Sequence, residues 1–391
     1  MCNVSTVPDM KVGWPDNSIA GKKIQSADHE ICKCISDMKV VIVVEDSLPN
    51  RFVGKQHTPV LWNLITSHGG WSEQGGRSVL ASNTYPNHAT FVTGADVQDH
   101  RIFTNKIWNG QAFVCSSTVG PAVETIFDVA NCSGLSTAAV LGDKTMVGVT
   151  AAQRAHMHWP PIAGLAERSA TDTLGYSANS VVLEKLDELD ALSCDLCFVH
   201  MNEPDSALHV YGPDAAESMA QIRRCDSDLA LIVERLQSSW DDTVLFVLSD
   251  HEQETIDQSQ DELYIEALLT ANGLQGHGHD EGAVALIVDG ADASAIMRLP
   301  EINGAVDLDA GVTLVWSGAG RVFGQGRKNR LGQHGSPRTT TQVATVSGGH
   351  PIVPKLSEAV RCCSPHGSQW APTVATLFGL SLPQATGLSL I

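Results

Sequence analysis

Aspartate and histidine residues recur in this chain at the ends of strongly apolar runs. Three such runs end on these residues, and an isolated histidine precedes a fourth run. Carboxylate and imidazole groups are ligands that suit zinc, and three aspartates with three histidines could hold two ions. The sequence therefore predicts a two-metal site where these runs end. The predicted ligands are Asp46, Asp205 with His209, Asp250 with His251, and His334.

A second stretch whose residues could take part in a reaction runs from Asn83 to Gly94. Pro86 fits the first turn of a helix, and Gly94 is typical of a helix end. The apolar run before the stretch predicts a strand, so Thr84 is expected where a strand gives way to a helix N-terminus. Such a place attracts phosphate and other anions. The local sequence leaves two interpretations open for the Thr84 hydroxyl, an ordinary N-cap or a nucleophile.

Strand-like and helix-like segments alternate from residue 39 to residue 251. This alternation predicts an α/β fold, a doubly wound and mostly parallel sheet with helices on both faces. Open sheets of this kind place their sites at the carboxyl ends of the strands. Asp205 and His209 are four residues apart, so both can face the same way on one helical turn. The fold would therefore bring the predicted ligands to one edge.

The domain organisation follows from changes in pattern along the chain. We expect an N-terminal extension at 1–38, an α/β core at 39–254 and 331–391, and a small α+β insertion at 255–330 that caps the sheet edge. Within the insertion, a Gly/His-rich turn contains His277, His279 and Asp280, which bind a further metal or form a solvated turn. Residues 145–176 are expected to be irregular and to line a pocket.

The composition of the chain limits the classes of partner that the protein can bind. The chain has 391 residues, a net charge of −19 and an isoelectric point near 5.1, which argues against a stable nucleic-acid partner. An anionic small-molecule substrate remains compatible, because bound metal ions reverse the local field. No leader pattern and no apolar run of membrane-spanning length are visible, so we expect a cytoplasmic protein without a membrane anchor. The sequence leaves the oligomeric state open.

The order of these motifs resembles the alkaline phosphatase superfamily, and within it the nucleotide pyrophosphatase/phosphodiesterase branch. The Thr-x-Pro-Asn-His motif followed by Val-Thr-Gly is similar to the nucleophile segment of that branch. The motif of Asp205 and His209, the Ser-Asp-His motif, and His334 followed by glycine occur in the same order. One departure is Glu252, which stands where many relatives carry glycine.

The resemblance implies two zinc ions per chain. One would be held by Asp205, His209 and His334, with His366 as the alternative to His334. The other would be held by Asp46, Asp250, His251 and the oxygen of Thr84. Thr84 would be the nucleophile and would form a phospho-threonine intermediate, while Asn105 would donate a hydrogen bond to a phosphate oxygen.

Three functions are compatible with this resemblance. The first is hydrolysis of phosphate diesters or pyrophosphates of the nucleotide type. The second is hydrolysis of a C–P bond, as in phosphonoacetate hydrolase, with Lys144 as a substrate contact. The third is a catalytically inactive relative that binds phosphorylated ligands. A sulfatase is disfavoured because its nucleophile is a modified cysteine, and position 84 is threonine.

Overall fold

The β-branched run at the start of the core forms the middle strand of a seven-stranded sheet. The computed structural model describes residues 38–162, 169–325 and 328–391. The strands are β1 (Lys39–Glu45), β2 (Gly69–Trp71), β3 (Gly76–Arg77), β4 (Lys106–Trp108), β5 (Phe113–Cys115), β6 (Thr137–Leu141), β7 (Met157–Trp159), β8 (Leu196–Met201), β9 (Thr243–Leu248), β10 (Glu254–Thr255), β11 (His277–Glu281), β12 (Val284–Val288), β13 (Ile302–Asp309), β14 (Val312–Ser317), β15 (Gly332–Gln333), β16 (Thr341–Gln342) and β17 (Thr345–Ser347).

Helices connect these strands and cover the sheet. The α-helices are α1 (Pro59–Ser67), α2 (Thr84–Thr93), α3 (Val97–His100), α4 (Ile126–Cys132), α5 (Met146–Val149), α6 (Asn179–Glu188), α7 (Glu203–Tyr211), α8 (Ala216–Leu236), α9 (Ile265–Ala271), α10 (Ala293–Ile296), α11 (Val353–Cys362) and α12 (Trp370–Leu377).

The main sheet has the strand order β2-β17-β9-β1-β8-β6-β7. Strands β9, β1, β8, β6 and β7 are parallel, whereas β17 is antiparallel to both of its neighbours. Strands β8, β1 and β9 are therefore adjacent and parallel, so their carboxyl ends meet at one edge. The predicted α/β class and mostly parallel sheet are confirmed.

Alternate residues of β1 face two different hydrophobic cores. Val40, Ile42 and Val44 pack with residues of α2, α4, α11 and α12. Val41 and Val43 pack with residues of α1, α6 and α8 on the other face. A strand buried on both faces explains why its sequence reads as a continuous apolar run. The two cores confirm the prediction of helices on both faces of the sheet.

The segment 255–330 contains a four-stranded antiparallel sheet with the order β11-β12-β14-β13. Helices α9 and α10 cover one face through Ile265, Leu269 and Ile296. The other face packs against Val79, Ala81 and Phe103, which flank helix α2. The insertion therefore forms part of the same compact unit as the rest of residues 38–391. The predicted N-terminal extension lies outside the described residues apart from Met38.

Three local expectations are wrong. The predicted Gly/His-rich turn forms strand β11, because pairing with the apolar strand β12 overrides its low intrinsic strand preference. The apolar run before Thr84 is not a regular strand; the chain bends at Leu80 and Ala81, and Ser82 forms a single bridge with Gly335. Within the irregular 145–176 stretch, residues 157–159 form the edge strand β7.

Gly94 ends helix α2 in the left-handed conformation, with a φ of 66°. A Cβ atom there would lie 2.5 Å from Cδ of Pro372 in α12. Replacing Gly94 by Ala should therefore combine backbone strain with a steric clash and lower the free energy of unfolding by about 2–4 kcal/mol. Chemical denaturation measures the change.

Gly379 is the matched control, because it has the same φ of 66° but no atom within 4 Å of the position that a Cβ atom would take. The Gly379→Ala variant should lose only the strain, about 1 kcal/mol. Equal losses in the two variants would contradict a steric role for the contact between Gly94 and Pro372.

Candidate active site

The carboxyl ends of β1 and β9 bring together one group of buried ligands. The ligand atoms of Asp46, Asp250 and His251 lie within 4.8 Å of one another. His251 Nε2 is 3.1 Å from Asp250 Oδ2 and 3.8 Å from Asp46 Oδ1. Thr84 Oγ1 lies 3.3 Å from the same nitrogen. Three predicted ligands of one ion therefore converge around the Nε2 of the fourth, His251.

A second group forms where helix α7 meets the segment after β15. Ligand atoms of Asp205, His251 and His334 lie within 4.8 Å of one another. His209 Nε2 is 3.5 Å from Asp205 Oδ1, and the His209 and His334 rings are 5.0 Å apart. Asp205 Oδ1 is also 3.8 Å from His334 Nε2, so Asp205 contacts both histidines that are expected to share an ion with it. His251 belongs to both groups and stacks on His334 at 3.9 Å.

The three histidines present the same ring nitrogen to the cluster. His209 Nδ1 donates to the Gly332 carbonyl at 2.8 Å, and His334 Nδ1 contacts the Ser82 carbonyl and Asn83 Oδ1. His251 Nδ1 contacts Ser47 Oγ at 2.8 Å. Each Nε2 therefore faces the carboxylates. Fixing the tautomer through the other nitrogen is how proteins prepare histidine for a metal ion.

The electrostatics of the cluster favour a bound cation. Burial, together with the charges of Asp250 and Asp205, raises the pKa of Asp46 well above its usual value. Burial lowers the pKa of His334 well below its usual value, with help from His251 and His209, so His334 is neutral. Oδ1 of Asp46 and Oδ2 of Asp250 are buried without a hydrogen-bond partner. Buried oxygens without a partner are costly, and a divalent ion would satisfy them. The donor set fits zinc.

Thr84 is the first residue of helix α2 and is preceded by Asn83 as the N-cap. The interpretation of Thr84 as the N-cap is therefore wrong by one position. Its hydroxyl contacts His251. Thr84 also lines a cleft of about 740 Å³ that includes open solvent. The hydroxyl is thus placed between the ligand cluster and a solvent-connected space.

Asn105 lines the same cleft and is held by two elements. Its side-chain oxygen accepts a hydrogen bond from the Tyr85 N–H at 3.1 Å. Its backbone N–H donates to Glu281 Oε1 at 3.0 Å, and the same oxygen accepts from the side chain of Asn83. Because the carbonyl branch of the Asn105 side chain faces the helix, its amide nitrogen is left for a ligand. Glu281 belongs to the insertion, which therefore supports this wall of the cleft.

Two other predicted residues lie away from the cluster. Lys144 is exposed and is not among the residues that line the cleft, whereas its neighbour Asp143 is. His366 contacts Ser368 and caps a short 3-10 helix. Of the two alternatives for the third histidine, the structure brings only His334 to the ligands.

The histidines of the insertion are engaged in local contacts. His277 stacks on Trp108 at 4.4 Å, and His279 Nε2 lies 3.5 Å from Glu281 Oε2. Asp280 accepts a hydrogen bond from the Ile265 N–H. These three residues form no ligand group within the part of the chain that the structure describes.

Ser47 supports both ligand groups, and the sequence pattern did not identify it. Its hydroxyl donates to Asp205 Oδ1 at 2.8 Å and accepts from His251 Nδ1, while its N–H donates to Asp250 Oδ1 at 3.0 Å. Its φ is 60°, in the left-handed region that favours glycine. The available signal was its position directly after Asp46 in a predicted turn.

Two buried histidines orient the first ligand group and were also missed. His200, near the end of β8, contacts Asp46 Oδ2 through Nε2 at 2.8 Å, so that Oδ1 faces His251. His88 donates from Nδ1 to the Thr84 carbonyl at 2.8 Å. Burial lowers the pKa of His88 to about 3, so it is a neutral donor. His88 lies in the Thr-Tyr-Pro-Asn-His motif, which was the signal for it.

Comparison with known proteins gives the family. The profile of the family described as type I phosphodiesterase / nucleotide pyrophosphatase matches residues 40–309. The chain belongs to this family. The resemblance inferred from the motif order is thereby confirmed.

Curated members of this phosphodiesterase family match part of the chain. Venom phosphodiesterase 2 of Crotalus adamanteus is 28% identical over 191 residues, which are 46% of this chain and 22% of that protein. A bis(5'-adenosyl)-triphosphatase of Xenopus laevis is 20% identical over 189 residues, 45% of this chain and 38% of that protein. The matches thus span less than half the length of these relatives.

Solved structures match almost the whole chain. An inactive variant of murine ectonucleotide pyrophosphatase/phosphodiesterase 5, in complex with AMP, has a TM-score of 0.67 at 17% identity, covering 90% of this chain and 97% of that chain. Phosphonoacetate hydrolase from Sinorhizobium meliloti, in complex with phosphonoformate, has a TM-score of 0.62 at 15% identity, covering 88% and 96%. These matches establish the fold. Among the described residues, no helix is long and apolar enough to cross a membrane.

Replacing Ser47 by glycine should weaken metal binding without unfolding the protein. Glycine adopts a φ of 60° readily, but it removes the hydroxyl that joins Asp205 to His251. Loss of a group that orients metal ligands typically lowers affinity about ten- to a hundredfold. Competition for zinc with a chelating dye measures this change, and the melting temperature of the metal-free protein checks the fold.

Asp190→Gly is the matched control, because Asp190 is an exposed residue at a φ of 49° in another turn. This variant also gains the backbone freedom of glycine but should retain the wild-type zinc affinity. Wild-type zinc affinity in Ser47→Gly would show that the hydroxyl does not orient the ligands.

Proposed function

We propose that this chain is a two-zinc hydrolase that cleaves phosphate diesters or pyrophosphates, with Thr84 as its nucleophile. The observation that carries the proposal is the position of the Thr84 hydroxyl. It lies at the first residue of helix α2, 3.3 Å from His251 Nε2, and it lines the cleft. A hydroxyl that served only as a helix cap would instead contact the backbone of its own helix.

The residues that would hold the two ions are those of the two ligand groups. Asp46, Asp250 and His251 with Thr84 would hold one ion, and Asp205, His209 and His334 would hold the other. Zinc bound there would lower the pKa of the threonine hydroxyl and stabilise negative charge on phosphate and leaving-group oxygens. A threonine hydroxyl alone ionises too weakly near neutral pH to attack a phosphodiester.

The remaining roles fall to groups of the chain itself. The N–H group of Thr84 at the start of α2 and the amide nitrogen of Asn105 would donate hydrogen bonds to the non-bridging phosphate oxygens. Thr84 Oγ forms a bond to phosphorus as the bond to the leaving oxygen breaks. Water then cleaves the phospho-threonine bond and restores the hydroxyl. The net reaction consumes one diester and one water and yields a monoester and an alcohol or, from a pyrophosphate, a second phosphate product.

The Thr84→Ala variant tests the nucleophile. It should bind zinc like the wild type, because the six aspartate and histidine ligands remain. Turnover of bis(p-nitrophenyl) phosphate by the zinc-loaded protein should fall by at least about a thousandfold, as expected when a nucleophile is removed. Thr84→Ser keeps a hydroxyl and should retain activity within about tenfold of the wild type. Substantial activity in Thr84→Ala would rule out the role of Thr84.

A substrate panel separates the alternative functions. The likeness of the fold to phosphonoacetate hydrolase supports including phosphonoacetate beside nucleotide diesters and a phosphomonoester. We expect the diesters or pyrophosphates to be cleaved with the highest kcat/KM. Release of phosphate from phosphonoacetate above all other substrates would favour the C–P hydrolase, and no turnover of any substrate by zinc-loaded protein would favour an inactive binding protein.

A further inference from the structure

A single arginine lines the cleft that contains Thr84. Arg330 is the one lysine or arginine among the described residues that line this cleft. The acidic residues beside it are Asp143, Asp205 and Glu281. A lone cation in an otherwise acidic cleft marks a position suited to an anionic group of a ligand.

The acidic neighbours are already engaged by other donors. Asp143 accepts hydrogen bonds from the Tyr85 hydroxyl at 2.8 Å and from the Thr145 N–H at 2.7 Å. Glu281 accepts from the N–H of Asn105, and Asp205 belongs to a ligand group. None of the described carboxylates forms an ion pair with Arg330, whose side chain is exposed. The guanidinium is therefore free to bind an incoming anion.

The backbone that carries Arg330 is held firmly at the second ligand group. The N–H of the next residue, Leu331, donates to the His209 carbonyl at 2.7 Å, and the Gly332 carbonyl accepts from His209 Nδ1 at 2.8 Å. The Arg330 carbonyl accepts from the side chain of Gln258 at 3.0 Å. Arg330 therefore lies on the His209 side of the cleft.

Arg330 and the Thr84 hydroxyl are associated with different ligand groups. Thr84 lies with the first ligand group, whereas Arg330 is joined to His209 in the second. In an in-line displacement the leaving oxygen departs on the side away from the nucleophile. If the two-ion mechanism holds, the leaving group moves towards the second ligand group, and Arg330 is the arginine of the cleft that lies next to this group in the chain.

We propose that Arg330 binds an anionic substituent on the leaving group and thereby selects substrates whose leaving group is itself charged. This inference rests on the proposed function and names its substrate class. A phosphate or pyrophosphate leaving group carries such a charge, and so does the carboxylate of a phosphonocarboxylate. Guanidinium groups bind both kinds of anion through two parallel hydrogen bonds.

The test compares two substrates that transfer the same nucleotidyl group. Thymidine 5'-triphosphate has pyrophosphate as its leaving group, and the 4-nitrophenyl ester of thymidine 5'-monophosphate has a nitrophenol. In zinc-loaded Arg330→Ala, kcat/KM should fall about ten- to a hundredfold for the triphosphate and less than about threefold for the ester. Arg330→Lys should recover part of the loss, because it restores the charge but not the paired hydrogen bonds.

Lys328→Ala is the control for net charge, because Lys328 is exposed two residues away and does not line the cleft. This variant should leave kcat/KM for both substrates unchanged. Phosphonoacetate as a third substrate identifies the anion that Arg330 binds. A lower kcat/KM for phosphonoacetate in Arg330→Ala shows that Arg330 recognises a carboxylate. Equal losses on the triphosphate and the ester, or no loss on either, would overturn the proposal.

Binding of inorganic pyrophosphate to the zinc-loaded protein gives a readout that does not need turnover. Calorimetry should show an affinity at least about tenfold weaker in Arg330→Ala than in the wild type and in Lys328→Ala. Equal affinities would overturn the role of Arg330 even if Thr84-dependent hydrolysis is intact. The opposite result is also informative. If hydrolysis does not depend on Thr84 but the affinity for pyrophosphate depends on Arg330, the proposed function is rejected and the anion site at Arg330 is supported.

Discussion

Three carboxylates buried at one edge of the main sheet impose the strongest physical constraint on this protein. Asp46, Asp205 and Asp250 are at most 6% exposed. Negative charges that are buried close together repel one another, and each carboxylate also loses its hydration. Such a cluster is compatible with a stable fold only when a cation neutralises it or its protons are retained. The elements around the cluster are arranged to meet this requirement.

The three adjacent strands supply the geometry. Residues of β1 lie opposite residues of β8 and β9 in parallel register, so the chain leaves all three strands at the same level. The Asp46 N–H donates to the last residue of β8, Met201, and so extends this ladder beyond β1. The left-handed turn at Ser47 then sends the chain away and leaves a hydroxyl among the ligands. The regular sheet thus determines where the carboxylates meet, and Ser47 helps to orient two of them, Asp205 and Asp250.

Much of this arrangement could be predicted because it depends on local patterns. Apolar runs identify the buried strands, and residues within the first turn after each strand lie near one edge, which leads to Asp46, Asp205 and Asp250. In the structure, the neighbouring Glu45 faces the opposite side of the sheet, beside Leu61 and Cys225, and Asp46 belongs to the ligand group. The helix of Thr84 was predictable from its proline and its terminal glycine.

The residues that could not be predicted act through contacts between distant segments. Ser47 is 158 residues from Asp205, and His200 is 154 residues from Asp46. Serine and histidine have no distinctive spacing at these positions, so only the assembled fold reveals their roles. The strand at 277–281 was missed for a related reason, because its polar sequence becomes a strand only beside β12. The exposure of Lys144 also depends on the path of the chain after β6, which composition does not determine.

Glu281 joins the insertion to the core, and this connection limits how the fold can diversify. It belongs to the antiparallel sheet of the insertion, yet one of its oxygens accepts from both Asn83 and the backbone of Asn105 in the core. The insertion is therefore not a detachable module that alters specificity alone. A relative with a different insertion would also need another acceptor in place of Glu281 to hold Asn83 and Asn105. The insertion and the core segment that carries these asparagines are therefore expected to evolve together.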